Sequence, residues 1–310
     1  MSYRTDLSLI AIEGIVFIVG DLILIFFLIG GGRETKCAIA AFDQDTSWDY
    51  ILYVQHWPIT VCMQWMAKSP DNNCTIPLNY QWTVHGSWPT KIGTDGPQYC
   101  NSTWHFNKTE IEPIESELEQ YWTNIQANTG LESFWEYEWK KHGTCALNLK
   151  TLDTEFNYFN EAVTWAKNYS IGDILGLHGI HPDGSAYSIQ QIHDAIKSTL
   201  GVNPVIECVV HGKPKMSLLS EIRLCFNKTL NLIDCDIDKM HYLFLDEYLY
   251  DLEDGQILTD CSLKRPIMYF GEIPHFERSI RDEELEERQK YLTQMGQLYQ
   301  FLQFLIWLTL

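Results

Sequence analysis

The sequence predicts an α+β fold in which a central antiparallel sheet is flanked by helices and the chain is disulfide-bonded. Short segments with strand composition alternate with longer segments whose apolar residues recur at helical spacing. The chain also contains nine cysteines. This number of cysteines points to an oxidising compartment. None of them forms a Cys-x-x-Cys pair, so neither a zinc ribbon nor a thioredoxin-type motif is indicated. The length of 310 residues fits one large domain with short extras at both ends.

Residues 8–32 form an apolar run that follows Arg4. A basic start, an apolar middle and small residues at the exit are typical of a signal peptide. The run is also long enough for a signal anchor, which needs about 20 apolar residues. However, Glu13 and Asp21 would each cost about 2.5–3.5 kcal/mol at the centre of a spanning helix. We therefore expect a signal peptide or signal anchor over residues 1–40, with cleavage favoured.

The remaining elements are predicted from periodicity. Strand character is found at 50–54, 80–84, 204–210 and 222–226. Apolar residues recur at helical spacing in 110–125, 154–168 and 188–200. After Cys261, a charged stretch opens 277–310 and is followed by apolar residues at heptad-like spacing. This pattern favours a terminal helix docked on the domain, with a helix that binds a partner or a membrane surface as the alternative.

The stretch 135–145 contains several ionisable side chains close together and reads Trp-Glu-Tyr-Glu-Trp-Lys-Lys-His-Gly-Thr-Cys. Glu138, Lys141 and His142 stand at i, i+3 and i+4. At about 100° per residue, they would leave from one side of a helix. A solvated Glu/Lys face is the simpler interpretation of the two charges alone. With the histidine, a base, an acid and a fixed cation would share one wall of a cleft.

Two upstream segments favour the catalytic interpretation, namely Tyr-Val-Gln-His-Trp-Pro-Ile-Thr-Val-Cys at 53–62 and Trp-Thr-Val-His-Gly-Ser-Trp-Pro-Thr at 82–90. Together with 135–145, they resemble the ribonuclease T2 family of secreted endoribonucleases, above all its animal members. That family has a His-Gly-Leu-Trp-Pro segment and a Phe-Trp-x-His-Glu-Trp-x-Lys-His-Gly-Thr-Cys segment. Ser87 replaces the Leu, Tyr137 replaces the first His, and every other letter of both segments matches. Two long motifs in the right order are a strong signal.

The resemblance implies that His142 is the catalytic base and His85 the catalytic acid, while Lys141 and Glu138 stabilise the transition state. The first product would be a 2′,3′-cyclic phosphate, with no cofactor and no metal. The reaction itself requires the same residue types, independently of the resemblance. RNA cleavage without metal needs a base for the 2′-hydroxyl, an acid for the leaving 5′-oxygen and positive charge for the phosphorane. Histidine suits both proton-transfer roles because its pKa lies near mildly acidic pH.

Substrate contacts are also implied by the resemblance. Tyr137 stands where the family holds the substrate phosphate with histidine. Because tyrosine donates a hydrogen bond but carries no positive charge, we expect weaker binding and a reduced rate. Trp88 matches the stacking tryptophan of the family, and Thr90 replaces an Asp that helps to choose the base. His56 is expected to be a packing or supporting residue. The other tryptophans near the motifs are expected in the core, namely Trp57, Trp82, Trp135 and Trp139.

Eight of the cysteines are expected to form disulfides. The sequence alone allows 105 pairings of eight cysteines. The resemblance implies Cys62–Cys74, Cys100–Cys145, Cys208–Cys261 and Cys225–Cys235, with Cys37 left over. Sequons for N-glycosylation support the same compartment, and they begin at Asn73, Asn101, Asn107, Asn168 and Asn227.

The expected organisation is residues 1–40 as the leader, 41–272 as the catalytic domain and 273–310 as a C-terminal helical extension. We expect a secreted or lysosomal, monomeric endoribonuclease that acts on single-stranded RNA with little base choice. One alternative is an extracellular ligand or signalling glycoprotein with weakened catalysis. Another is a membrane-tethered adhesion or structural protein.

The formal charge of −19 and the pI near 4.8 argue against an architectural nucleic-acid binder, which would need a basic face. An acidic enzyme that acts on RNA needs positive charge only in its cleft.

Overall fold

The computed structural model describes residues 16–19, 22–25, 46–274 (except 78, 80, 95, 213–214 and 236–256), 286–299 and 302. By its internal contacts, the chain divides into two units, Met1–Asp43 and Gln44–Leu310. The described part of the first unit is an antiparallel pair of strands, β1 (Val16–Val19) and β2 (Leu22–Ile25). Most of the predicted leader lies outside the described residues. No helix in the described part of the chain is both long and apolar enough to cross a membrane.

The second unit contains the central sheet. Its strands are β3 (Tyr50–His56), β4 (Thr83–Thr90), β5 (Asp183–Tyr187), β6 (Val205–His211), β7 (Met216–Phe226), β8 (Leu232–Ile233), β9 (Leu258–Thr259) and β10 (Ile267–Phe270). The order β4-β3-β7-β10-β5 forms the main path, and β6 and β8 also pair with the long strand β7. Because β7 contacts four other strands, side chains from β7 can reach the middle of the molecule.

The α+β fold with four disulfides is confirmed, but a purely antiparallel sheet is wrong. Strand β10 runs parallel to β7, and β9 runs parallel to β6. A parallel pair needs a long connection that returns the chain to the starting end of its partner. About 40 residues separate Phe226 from Ile267 and provide that connection.

The helices of the second unit are α1 (Pro58–Met66), α2 (Lys108–Ile111), α3 (Glu115–Tyr121), α4 (Ser133–Glu138), α5 (Thr144–Ala146), α6 (Glu155–Asn168), α7 (Ile171–Leu177) and α8 (Ile189–Leu200). Helices α6 and α8 match their predictions to within one residue. Each begins after a side-chain cap, Thr154 and Ser188 respectively. The single helix predicted for 110–125 is wrong, because Pro113 lacks a backbone donor and lies in a 3₁₀ turn, Glu112–Ile114, between α2 and α3.

The core lies between the sheet and helix α6. The Tyr53 hydroxyl on β3 donates to the Ala162 carbonyl at 3.0 Å, and Trp165 stacks on Phe226 with 4.0 Å between ring centroids. The Tyr158 hydroxyl donates to the Ser87 carbonyl of β4 at 2.8 Å. Helix α6 therefore fixes the strand that carries His85. The four tryptophans predicted in the core are buried there, namely Trp57, Trp82, Trp135 and Trp139.

The disulfides pair Cys62–Cys74, Cys100–Cys145, Cys208–Cys261 and Cys225–Cys235, the four pairs that the resemblance implies. The described part of the C-terminal extension, residues 286–299, is helical. Its apolar side chains are 45% to 62% exposed from Tyr291 to Tyr299. A surface ion pair, Arg288 with Asp71, joins this helix to the segment that follows α1.

Candidate active site

His85 lies at a β-bulge between β3 and β4. Val54 pairs with Gly86 and Gln55 pairs with Val84, so His85 is the extra residue of β4. A bulge re-aims a side chain, and bulges are common beside active sites. Strand character was predicted to end at Val84, but β4 continues to Thr90.

The His85 ring meets a carboxylate on β7. Its Nδ1 lies 2.7 Å from Oε1 of Glu221. Burial alone would lower the pKa of His85, but Glu221, with a smaller contribution from Glu138, raises it above its ordinary value. The Glu221 carboxylate is held in turn by Arg223, whose Nε and Nη2 donate to Oε2 at 3.0 and 2.7 Å. Arg223 also forms an ion pair with Glu207 on β6.

This charged cluster was missed by the sequence analysis. Burial would raise the pKa of Glu221, but Arg223 and His85 together hold it well below its usual range. Glu221 and Arg223 alternate along a strand that is otherwise mostly apolar. Charged residues at period two in such a strand were the available signal, because side chains there share one face of the sheet.

Glu138 ends helix α4 and is almost completely buried. Its Oε2 accepts a hydrogen bond from Nε1 of Trp88 at 2.9 Å. Burial raises the pKa of Glu138 to about 7, with His85, Trp88 and Lys141 opposing the shift. Gly86 makes room for this contact, since a Cβ there would lie 2.0 Å from Nε1 of Trp88 and 2.3 Å from Oε2 of Glu138. The glycine after the histidine is therefore required by close packing.

The predicted continuous helix at 135–145 is wrong in one respect. After α4, the chain forms a π-helical turn, Trp139–Gly143, before α5 resumes at Thr144. A π turn is wider than an α turn and is frequent at functional sites. Lys141 and His142 lie in this turn, so their directions differ from those of a regular helix.

His142 is buried and stacks on the Trp88 ring, with 5.2 Å between centroids and an interplanar angle of 27°. Burial lowers its pKa to about 3, with Lys141 and His85 adding to the effect. Its Nδ1 has no hydrogen-bond partner among the described residues. The His85 ring meets the same tryptophan edge-on at 5.0 Å. Trp88 thus brings the two histidines to one place, one favouring the charged form and the other the neutral form.

Lys141 turns toward Tyr137. Its Nζ donates to the Tyr137 hydroxyl at 3.0 Å and lies 5.2 Å from the centre of that ring. Burial lowers the pKa of Lys141, but the contact with Tyr137 outweighs it and the net shift is upward. Tyr137 is 46% exposed, so it is accessible to a substrate.

A cavity of about 360 Å³ opens beside His85 and is also lined by His56, Phe134, Tyr137 and Glu221, among others. His56 stacks beside His85 at 5.3 Å between ring centroids. Burial lowers the pKa of His56 to about 3, with His85 adding to the effect. Its position agrees with a supporting role, although its ring also lines the cavity.

The residues predicted for base recognition lie at the edge of this site. Trp88 already contacts the His142 ring, and the Arg223 guanidinium lies 5.4 Å from its centre. Thr90 is buried and its hydroxyl donates to the Trp88 carbonyl at 2.9 Å. The Thr90 hydroxyl is therefore occupied by a backbone hydrogen bond. Trp88 contacts both Glu138 and His142.

Comparisons with known proteins identify the family of the chain. Residues 48–235 match the model of the ribonuclease T2 family. The chain is 39% identical over 193 residues to Ribonuclease Oy of Magallana gigas, covering 61% of this chain and 88% of that protein. It is 32% identical over 234 residues to Ribonuclease T2 of Danio rerio, covering 75% and 92%.

Solved structures are similar as well. The human RNase T2 crystal structure has a TM-score of 0.56 and 28% identity, covering 72% of this chain and 99% of that one. Ribonuclease MC1 from the seeds of bitter gourd has a TM-score of 0.54 and 33% identity, covering 61% and 95%. The chain therefore belongs to the ribonuclease T2 family and is an endoribonuclease of the T2 type.

Proposed function

We propose that the protein cleaves single-stranded RNA without a metal ion, by attack of a 2′-hydroxyl on the adjacent phosphorus. The new O2′–P bond replaces the P–O5′ bond, which leaves a 2′,3′-cyclic phosphate and a free 5′-hydroxyl. His142 takes the proton from the 2′-oxygen, and His85 gives a proton to the 5′-oxygen. The observation that carries this proposal is that His85 and His142 both contact the Trp88 ring, with centroid distances of 5.0 and 5.2 Å. Their surroundings shift the two pKa values in opposite directions, upward for His85 and downward for His142.

His142 suits the base role because its pKa of about 3 keeps it neutral over the acidic range. His85 suits the acid role because the Glu221 carboxylate favours its charged form. A rate that needs both forms rises with pH through the pKa of His142. It then falls as His85 loses its proton and as Glu138, with a pKa of about 7, ionises. Because these ionisable groups interact, the two limbs of the pH–rate profile report apparent pKa values of the coupled set and not of single residues.

Lys141 and Glu138 would stabilise the phosphorane. Lys141 lies in the π turn next to His142, and its ammonium is held by the Tyr137 hydroxyl, so its charge acts on the His142 side of the site. At acidic pH, the Glu138 carboxyl is protonated and can donate a hydrogen bond to a phosphoryl oxygen. Tyr137 would hold the substrate phosphate through its hydroxyl. Trp88 would provide stacking that tolerates most bases, so base preference is low.

The same proposal includes the cellular context. The four disulfides support an oxidising compartment, such as the extracellular space or the lysosomal lumen. The sequons would be glycosylated, and Asn73, Asn107 and Asn168 are exposed. Residues 41–272 would be the catalytic domain, and the protein would act as a monomer. The ribonuclease names of the relatives support an enzyme over a signalling ligand.

The proposal is tested by incubating the purified protein with RNA and EDTA between pH 4 and pH 8 and assaying the ends of the fragments. We expect cyclic-phosphate ends, with most cleavage on the acidic side, and loss of cleavage in His142→Ala and His85→Ala. No cleavage by the wild-type protein, or equal cleavage by His142→Ala, would overturn the proposal.

A further inference from the structure

We propose that Glu221 is a positioning residue for His85, and that its carboxylate is itself fixed by Arg223. The inference rests on the proposed acid role of His85 and extends it to residues on another strand. Glu221 does not touch the reacting atoms in this account. It would hold Nδ1 of His85, so that the other ring nitrogen, Nε2, presents its proton to the leaving oxygen.

The backbone places Glu221 for this purpose. On β7 it pairs with His56 of β3 on one side and with Glu207 of β6 on the other. The pairing of β6 with β7 shifts between Glu207 and Cys208, so Ser220 is an extra residue directly before Glu221. One bulge thus carries His85 and a second precedes Glu221. The two bulges aim the imidazole and the carboxylate at each other across β3.

The side chains complete the arrangement. Glu221 uses Oε1 for His85 at 2.7 Å and Oε2 for both Arg223 contacts, so its two oxygens have separate partners. The Arg223 side chain is 12% exposed and also pairs with Glu207, so carboxylates hold the guanidinium from two strands. A carboxylate fixed in this way selects one ring orientation and stabilises the imidazolium, as an oriented carboxylate does in other acid–base pairs.

The groups that face His85 come from each element packed against it. Glu221 on β7 and Glu138 on α4 favour its charged form, whereas Arg223 on β7 opposes it. His56 on β3 and His142 in the π turn also interact with His85. Both are mostly neutral above about pH 3, so they add little positive charge over the acidic range. Glu221 is the carboxylate in direct contact, which is why its removal should change His85 most.

Three variants test the assignment in the full chain. Glu221→Gln keeps a hydrogen-bond acceptor and removes the charge, while Glu221→Ala removes both. Glu207→Gln is the matched control, because it makes the same substitution at the other carboxyl that pairs with Arg223 but does not contact His85. The His85 imidazole is titrated by NMR in each folded variant, which needs no catalytic activity. In parallel, kcat and KM are measured on RNA across pH.

We expect Glu221→Gln to lower the pKa of His85, to move the alkaline limb toward acid pH and to reduce kcat about 10-fold to 100-fold, with KM nearly unchanged. Glu221→Ala should lose more, and Glu207→Gln much less. An unchanged His85 titration in Glu221→Gln would overturn the positioning role even if the wild type cleaves RNA. If the wild type does not cleave RNA, the proposed function fails, and the titration still decides whether Glu221 controls His85. If Glu221→Ala does not fold, Glu221→Gln carries the test.

Discussion

Tyr137 puts a neutral hydroxyl where the T2 motif has a histidine, and Lys141 donates to that hydroxyl at 3.0 Å. The contact holds the ammonium but adds no charge for a substrate phosphate. We expect Tyr137→His to raise kcat/KM on RNA at pH 4–6 several-fold, because a charge-assisted hydrogen bond of about 1.5–3 kcal/mol replaces a neutral one of about 0.5–1.5 kcal/mol. The measurement is steady-state kinetics on a single-stranded RNA.

Tyr137→Phe is the matched control, since it keeps the ring near Lys141 and removes only the hydroxyl. It should lower kcat/KM if the hydroxyl binds phosphate. Unchanged or reduced activity of Tyr137→His would count against the substrate-binding role given to this position.

At the scale of single elements, the sequence predicted which motif residues come together better than it predicted their local backbone geometry. The motif residues His85, Glu138 and His142 all contact Trp88, as expected if the motifs form a single site. The π turn was not predictable from spacing, because an α-helical period of 3.6 residues was the only template for 135–145. The bulge at His85 was likewise hidden, since register depends on the partner strand.

The Glu221 cluster shows a second limit of sequence reasoning. Glu221 and Arg223 lie 136 and 138 residues after His85, and only the pairing of β3 with β7 brings them together. Helices α6 and α8 could be predicted because their caps and apolar spacing are local. Long-range sheet order has no comparable local signal.

The disulfide Cys100–Cys145 anchors the π turn, since Cys145 follows that turn and the Tyr99 amide donates to the Lys141 carbonyl at 2.9 Å. Replacing both cysteines with alanine opens a loop of 45 residues. The chain-entropy model gives a loss of about 4 kcal/mol of stability. We also expect a fall in kcat, because the turn that carries His142 loses its anchor. Thermal unfolding and RNA kinetics measure the two effects.

The pair Cys62–Cys74 provides the control, as it closes a loop of 12 residues between α1 and the segment after it. Its removal should cost about 3 kcal/mol and leave kcat of the folded protein nearly unchanged. Equal loss of kcat in both double variants would indicate a general effect of destabilisation and not anchoring of the turn.

For the whole molecule, the charge of −19 opposes the approach of a polyanion. The Debye length falls from about 30 Å at 0.01 M salt to about 8 Å at 0.15 M, so added salt screens that repulsion. We expect kcat/KM on RNA to rise between these salt concentrations at pH 7, where the formal charge of −19 applies. A basic nuclease behaves oppositely, because salt weakens its counterion-release binding. A steady decrease with salt would show that the local charge of the cleft governs association.

The proposed roles of His85 as general acid and His142 as general base are separated by a substrate whose leaving group needs no acid. A nucleoside 3′-(4-nitrophenyl phosphate) has the same 2′-hydroxyl, but its nitrophenolate leaves without a proton. Release of nitrophenolate is compared with RNA cleavage for the wild type, His85→Ala and His142→Ala. We predict that His85→Ala loses RNA cleavage but keeps most of its activity on the activated ester, while His142→Ala loses both. Equal loss of both activities in His85→Ala, or retained ester cleavage in His142→Ala, would contradict the acid and base roles assigned to these histidines.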